Sequence, residues 1–256
     1  MKIEQVAATL YTVRDSCGSA AALAETARKV REIGYRAIQH PWTCPVPAKE
    51  VVGIMANEGL TICSSHEPSA KILDEPGRVA ERVHELGCRL TAYPYPHGVD
   101  FSDRSAILSF VRRLEAAGAT FRAAGITLGY HNHEIEFLPF EGTTILDYLY
   151  AHTDPRHLVA EPDTYWVHAG GGDCVEWCRK LAGRLPFIHI KDYMMTLEKK
   201  PVWCEIGRGT LPFARIIAEA EKSGCEWFIV EQDTCPGDPF ESLRLSFEHV
   251  RRHLVS

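Results

Sequence analysis

The feature that most limits what this chain can fold into is an alternation. Eight short apolar runs, of a length that suits strands, are separated by longer segments with helical character. The runs cover residues 3–10, 35–39, 60–64, 88–92, 126–130, 157–160, 186–190 and 227–230. The segments between them predict helices over 20–33, 47–57, 76–86, 102–124, 144–151, 173–181, 211–222 and 240–254. In the first, Leu23, Ala27, Val30 and Ile33 recur at helical spacing and Gly34 follows as a stop. In the longest, Ile107, Val111, Leu114 and Phe121 share one face, and Gly125 ends it. Pro76 sits near the start of another, where a missing N–H costs nothing.

Strands that alternate one by one with helices predict a parallel sheet, because a parallel crossover needs a helix-length connection. Eight such units in 256 residues predict an α/β fold of the closed (β/α)8 barrel type, which typically needs ~250 residues. One domain over 1–256 is expected. An open doubly wound sheet would carry a Gly-rich fingerprint after its first strand, and Thr12–Gly18 contains no G-x-G-x-x-G. The net charge of −6 argues against nucleic acid as a partner. No window approaches the ~18 apolar residues of a membrane span, and Met1–Val6 lacks the long apolar core of a signal peptide. The nine cysteines are scattered, odd in number and without a C-x-x-C pair, which predicts reduced thiols and a cytoplasmic protein.

A barrel of this kind places its active site at the C-terminal ends of the strands. The polar residues there are His40, His66, Glu67, His131, His133, Glu136, Glu161, Asp163, His189, Lys191, Glu231 and Asp233. Carboxylates and imidazoles converging from several strands are what a divalent cation needs, and mixed oxygen and nitrogen donors suit Mn, Co, Zn or Mg. His189 stands as the central ligand, with Asp163 and Glu231 at the equivalent place on the flanking strands. Glu161 and Asp163 share strand parity, so both can point inward; Asp163, the outer one, is taken as the ligand. Either His131 or Glu136 completes the shell, and His133 orients substrate or moves a proton. Lys191 reads equally as a substrate contact or as the partner of Asp192 in a rim ion pair. His40 and His97 read as ordinary loop histidines. In Glu205-Ile206-Gly207-Arg208-Gly209, backbone amides can wrap an anion with Arg208 beside it, although a simple tight turn before a helix explains the same glycines. A metal here would polarise a carbonyl or hydroxyl and stabilise an enediolate-like charge while a side chain moves a proton on carbon.

Five segments together resemble the xylose isomerase-like TIM-barrel superfamily, in its sugar phosphate isomerase/epimerase branch with inosose dehydratase-like enzymes. They are Gly129-Tyr130-His131-Asn132-His133-Glu134-Ile135-Glu136-Phe137, Asp163-Thr164-Tyr165-Trp166-Val167, His189-Ile190-Lys191-Asp192, Glu205–Gly209 and Val230-Glu231-Gln232-Asp233. The resemblance runs over essentially the whole chain. It implies a divalent metal, Mn2+ first, held by Asp163, His189, Glu231 and a fourth residue. Many relatives carry Glu-Asn-His where this chain has His131-Asn132-His133, so His131 is the first choice and Glu136 the second. The base lies among Glu136, His133 and Glu231, with His66 and Lys191 as further catalytic candidates. Trp166, Glu205 and Arg208 are the candidate substrate contacts. The implied activity is a metal-dependent isomerase or epimerase of a sugar, sugar phosphate or cyclitol. The alternative is a lyase or dehydratase of a keto-sugar, 3-keto-glycoside or inosose. A small carbohydrate is the expected partner, and a monomer or small homo-oligomer the expected state. Abasic-DNA repair, also found in the superfamily, sits badly with the acidic balance.

Overall fold

The computed structural model describes residues 1–255. Eight parallel strands form the barrel: β1 Val6–Thr9, β2 Ala37–His40, β3 Thr61–His66, β4 Leu90–Tyr93, β5 Thr127–His131, β6 Leu158–Glu161, β7 Phe187–Ile190 and β8 Trp227–Val230. Their hydrogen-bonded order is β6-β5-β4-β3-β2-β1-β8-β7. The ladder is therefore continuous except between its two ends. There β6 and β7 meet through a single parallel bridge, Asp163 to His189, in which His189 N–H donates to the Pro162 carbonyl at 2.9 Å. The expected (β/α)8 TIM barrel is the fold observed, nearly closed and sealed at the chain's polar strand ends.

The strands run between an inner and an outer apolar layer, which is why several read as unbroken apolar runs. Outside, residues such as Ile38, Tyr130, Ile188 and Phe228 pack against helices as the main core. Inside, the side chains follow a period of two. The lowest layer is a small apolar floor of Ala7, Ala37, Cys63, Ala92, Phe187 and Ile229. Phe187 fills the space that small neighbours leave. A Cβ built on Gly129 would stand 2.6 Å from the Phe187 ring, so glycine is required at that point of β5. Two residues up each strand come His131, Glu161, His189 and Glu231, and two further come His133, Asp163, Lys191 and Asp233. The floor separates these polar layers from the opposite end of the barrel.

Most expected elements appear within a few residues. The first helix is Ala20–Ile33, with Ser19 accepting from Ala22 N–H as its cap. The first strand starts later than expected, because Ile3–Gln5 form a 3-10 turn with Lys2 N–H bonded to the Gln5 side chain. Several elements were not expected, among them three that follow barrel strands. Ser69–Asp74 is a helical turn and a half. Thr164–Ala169 is a short helix capped by Asp163. Asp192–Met195 and Pro201–Cys204 form an antiparallel hairpin standing on the barrel mouth. No helix among the described residues is long and apolar enough to cross a membrane.

The floor makes a stability prediction. Phe187→Ala removes the one ring of a six-residue floor otherwise made of three alanines, Cys63 and Ile229 and should cost ~3–5 kcal/mol, measured by urea unfolding. A loss below ~1 kcal/mol would show that the layer collapses without it.

Candidate metal and carbohydrate site

The register of the strands brings the polar ends together. His131 lies opposite Glu161 across β5 and β6, and His189 opposite Ile229 across β7 and β8, with Glu231 two residues further on. His131, Asp163, His189 and Glu231 each offer a donor atom, all within 4.8 Å of one another and all buried. His189 Nδ1 is 2.7 Å from Glu231 Oε2 and 3.9 Å from Asp163 Oδ2. Asp163 divides its two oxygens: Oδ1 accepts from Trp166 N–H at 3.0 Å as a helix cap, and the buried Oδ2 has no hydrogen-bond partner. Lys191 Nζ sits at the rim, 3.2 Å from Asp163 Oδ2, 3.0 Å from Glu231 Oε2 and 2.8 Å from Asp233 Oδ2. Its ammonium also lies 5.2 Å from the Trp166 ring centroid.

Burial and charge divide the ring's protonation. Burial, with His189 nearby, pulls His131 down to about 3, so its imidazole is neutral. Burial also holds His133 well below its ordinary value. At His189 burial is overcome by Glu161 and Glu231, which raise it to about 10. Burial opposes ionisation of Glu231, but Lys191 and His189 keep its carboxyl well below the usual range. At Asp163 burial wins, and the carboxyl is pushed up to about 6 despite Lys191. The donor set fits a divalent cation. It combines hard oxygens with imidazole nitrogen and includes a buried carboxylate oxygen, Asp163 Oδ2, that makes no hydrogen bond and faces the Lys191 ammonium at 3.2 Å. Binding there releases protons, since ligating groups must be deprotonated.

Above the ring is a cavity of about 250 Å³. Tyr11, Trp42 and Tyr95 form apolar walls, and His66, His133, Lys191 and Asp233 reach it with the ring residues His131 and Glu231. Trp166 packs against His133, ring centroids 5.1 Å apart. The aromatic walls and Asp233's contact with Lys191 are features that the short sequence motifs do not signal. Gln39 was missed altogether: it looks like the tail of an apolar strand, yet its side chain is wholly buried inside the barrel.

Three candidates lie elsewhere. Glu136 is outside the ring, on the outer side of β5. Tyr130 hydroxyl donates to its Oε1 at 2.6 Å and His133 N–H to its Oε2 at 2.8 Å, so both oxygens are engaged. Burial raises its carboxyl to about 7. Arg208 is half exposed and pairs with Glu205 at 3.3 Å; Glu205 also accepts from Ser242 hydroxyl at 2.8 Å. Both border a separate groove beside Trp203 and Cys235. The Gly207-Arg208-Gly209 amides do wrap an anion, but it is the chain's own Asp192. Its Oδ2 accepts from Gly207 and Gly209 N–H at 3.0 Å each, and its Oδ1 from Tyr193 at 2.9 Å and Leu211 at 3.4 Å. Asp192 is therefore no partner for Lys191, whose charge goes to the ring. His40 is buried with neither ring nitrogen bonded, and points away from the ring into the helix layer.

The family model for the xylose isomerase-like TIM barrel matches residues 27–253. No curated protein sequence matches the chain. Among solved structures, a sugar phosphate isomerase/epimerase from Parabacteroides distasonis superposes with TM-score 0.83 at 20% identity, covering 99% of this chain and 96% of that one. A xylose isomerase-like TIM barrel protein from Mycobacterium smegmatis, in complex with magnesium, gives 0.76 at 17% identity over 96% and 95%. A probable 3-DHS dehydratase from Bacillus anthracis gives 0.74 at 12% identity over 99% and 100%. At these identities the likeness is one of fold.

Two predictions follow from the residues flanking the ring. Asp192→Asn turns a donor toward amides that need an acceptor, and should cost ~1–3 kcal/mol with faster hydrogen exchange at Gly207–Leu211. Unchanged exchange there would mean that the loop holds itself. His40 is pulled down to about 4 from 6.5, by burial first and then by Arg82. A depressed histidine leaves stability intact above pH 6.5 and removes it as pH falls toward 4, by at most ~3 kcal/mol. His40→Leu should flatten the unfolding free energy over that interval, and an unchanged slope would clear His40 of the effect.

Proposed function

This chain belongs to the xylose isomerase-like TIM barrel family, and from that premise we propose that it is a metal-dependent isomerase or epimerase of a small carbohydrate. The single observation that carries the reading is the buried ring of His131, Asp163, His189 and Glu231 under a cavity of monosaccharide size. A divalent cation held by these four residues would supply positive charge for a substrate oxygen that turns negative when the neighbouring carbon gives up its proton. Mn2+ is the first choice for such mixed donors, with Mg2+, Co2+ and Zn2+ behind it.

The chain's own residues divide the remaining work. His133 faces the cavity with a neutral imidazole, so its ring accepts the proton leaving carbon and returns it. Glu231, ionised and also facing the cavity, is the second proton acceptor. Burial opposes the Lys191 charge, but Asp163, Glu231 and Asp233 overcome it and hold the ammonium well above its ordinary range. Held by three carboxylates, its ammonium is preorganised to face a developing negative oxygen. Tyr11, Trp42 and Tyr95 exclude water and offer flat apolar faces to the C–H side of a sugar ring. Glu136 acts on this site through the His133 backbone. Arg208 and Glu205, in their own groove, are no longer substrate contacts in this reading, whereas Trp166 is kept as part of the wall around Lys191.

The test is solvent exchange. Protein loaded with Mn2+ and incubated in D2O with ketoses, their phosphates and inososes should place deuterium on the carbon next to the carbonyl. Chelation should abolish it, and Asp163→Asn or Glu231→Gln should lower kcat/KM at least ~100-fold (~2.7 kcal/mol) with folding intact by circular dichroism. Exchange that survives chelation, or none with any of these sugars, would sink the proposal. An unsaturated ketone among the products would move it to the lyase or dehydratase reading.

A further inference from the structure

In the layer of His131, His189 and Glu231 lies a carboxylate that the proposed chemistry does not use. Glu161, at the end of β6, is wholly buried. Its Oε1 accepts from Gln39 Nε2 at 2.7 Å and lies 3.3 Å from His189 Nε2. Its Oε2 lies 2.6 Å from His66 Nε2 and 3.4 Å from His131 Nδ1. One carboxylate thus touches three histidines. Gln39 Oε1 adds a second contact to His189 Nε2 at 2.9 Å, while Gln39 Nε2 also donates to Ser64 hydroxyl at 3.0 Å. Gln39 points inward because it lies two residues on from Ala37 of the floor; the register shift here leaves Cys63 of β3 unpaired and sets Ser64 opposite Gln39.

We propose that Glu161, braced by Gln39, is the positioning residue of the metal ring, committing His189 to ligate through Nδ1 and setting how tightly the ring holds its cation. The reasoning is geometric, and it rests on the metal reading above. Gln39 cannot turn its amide over, because that would set its oxygen against the Glu161 carboxylate. Its oxygen therefore faces His189 Nε2, which must be a donor. Two acceptors, Gln39 Oε1 and Glu161 Oε1, hold the Nε2 proton. The proton that leaves on metal binding is the one on Nδ1, the nitrogen that faces Glu231 and Asp163. A carboxylate behind a ligating histidine fixes its tautomer and strengthens it as a donor.

A rival role for Glu161 is as a ligand itself, since His66, His131, Glu161 and His189 also place donor atoms within 4.8 Å. The bonding speaks against it. Both Glu161 oxygens already have partners at 2.7 Å or less, whereas Asp163 Oδ2 makes no hydrogen bond and has only longer ion-pair contacts, 3.2 Å to Lys191 Nζ and 3.9 Å to His189 Nδ1. The inner group is a hydrogen-bond hub, and the outer group is the ion site.

The test uses the whole chain stripped by chelator, with Mn2+ alone as the probe for affinity. Glu161→Gln should weaken the Mn2+ Kd by about 10–100-fold at unchanged stoichiometry. Gln39→Met, a milder change, should weaken it severalfold and keeps the proposal testable if the first variant folds poorly. Long-range 15N–1H spectra of the Zn2+-loaded protein should show His189 with a proton on Nε2 and metal on Nδ1. Without metal, the His189 Nε2–H signal should be slow to exchange in wild type and fast in both variants. Equal Kd values and unchanged Nε2–H exchange in the variants would overturn the proposal, as would ligation through Nε2. Two Mn2+ per wild-type chain and one in Glu161→Gln would make Glu161 a ligand and overturn it too. Wild type that binds no Mn2+ would instead bring down the metal reading, and the affinity claim with it.

Discussion

Closing the barrel between β6 and β7 is the constraint from which the site follows. Seven strand pairs are joined by ladders, but the last junction has one bridge, in which His189 N–H donates to the Pro162 carbonyl, and one further backbone bond, from Ala160 N–H to the Arg184 carbonyl ahead of β7. Side chains do the rest. Thr164 hydroxyl donates to the Lys191 carbonyl and accepts from Lys191 N–H, both at 2.8 Å, while on the β5 side of β6 Asn132 Oδ1 accepts from Asp163 N–H at 3.2 Å. Asp163, His189 and Lys191 are therefore juxtaposed by the seam itself. A barrel that opened there would lose its site before it lost its strands.

The second constraint is charge in a dry space. Glu161, Asp163, Glu231 and Asp233 crowd the upper barrel, and buried charges are costly unless paired. The structure meets this with His189 and Lys191, each shared between several carboxylates rather than paired with one. Sharing leaves donor atoms under-bonded, as at Asp163 Oδ2, and that suits a site meant to receive a cation and a substrate. Asp192 shows the opposite solution. Four backbone N–H groups surround its carboxylate and use it to fold the loop over residues 205–211.

Much of this was legible before folding was considered. Phe187, His189 and Lys191 alternate with apolar Ile188 and Ile190, which marks a strand whose inner face climbs from floor to ligand to rim. Glu161 and Asp163, or Glu231 and Asp233, carry the same period. The His131–Asn132–His133 run was readable as a strand end that reaches the ring. Glu136 was misjudged because its position on a turn beyond the strand carries no period from which to infer direction; Tyr130 and the His133 amide hold it outside. The glycines around Arg208 advertised an anion cradle, yet nothing local says that the anion is Asp192, some fifteen residues earlier. Gln39 was invisible because Ala37-Ile38-Gln39 is too short and too uniformly buried to show which face is inner; only its contacts with Glu161 and His189 reveal its place.

What the sequence by itself determined is the alternation of strand and helix, the parity of polar residues along each strand, and hence which side chains crown the barrel. Those are short-range properties, set by backbone periods and by where apolar residues must be buried. Only the tertiary structure decided which crown residues touch. It made Glu161 the centre of three histidines, sent the Lys191 charge to Asp163, Glu231 and Asp233, and gave Asp192 to the glycine loop. Such pairings depend on strand register and on closure between segments far apart in the chain. A shift of an ångström or two, or a single bulge, exchanges one partner for another without altering any local pattern.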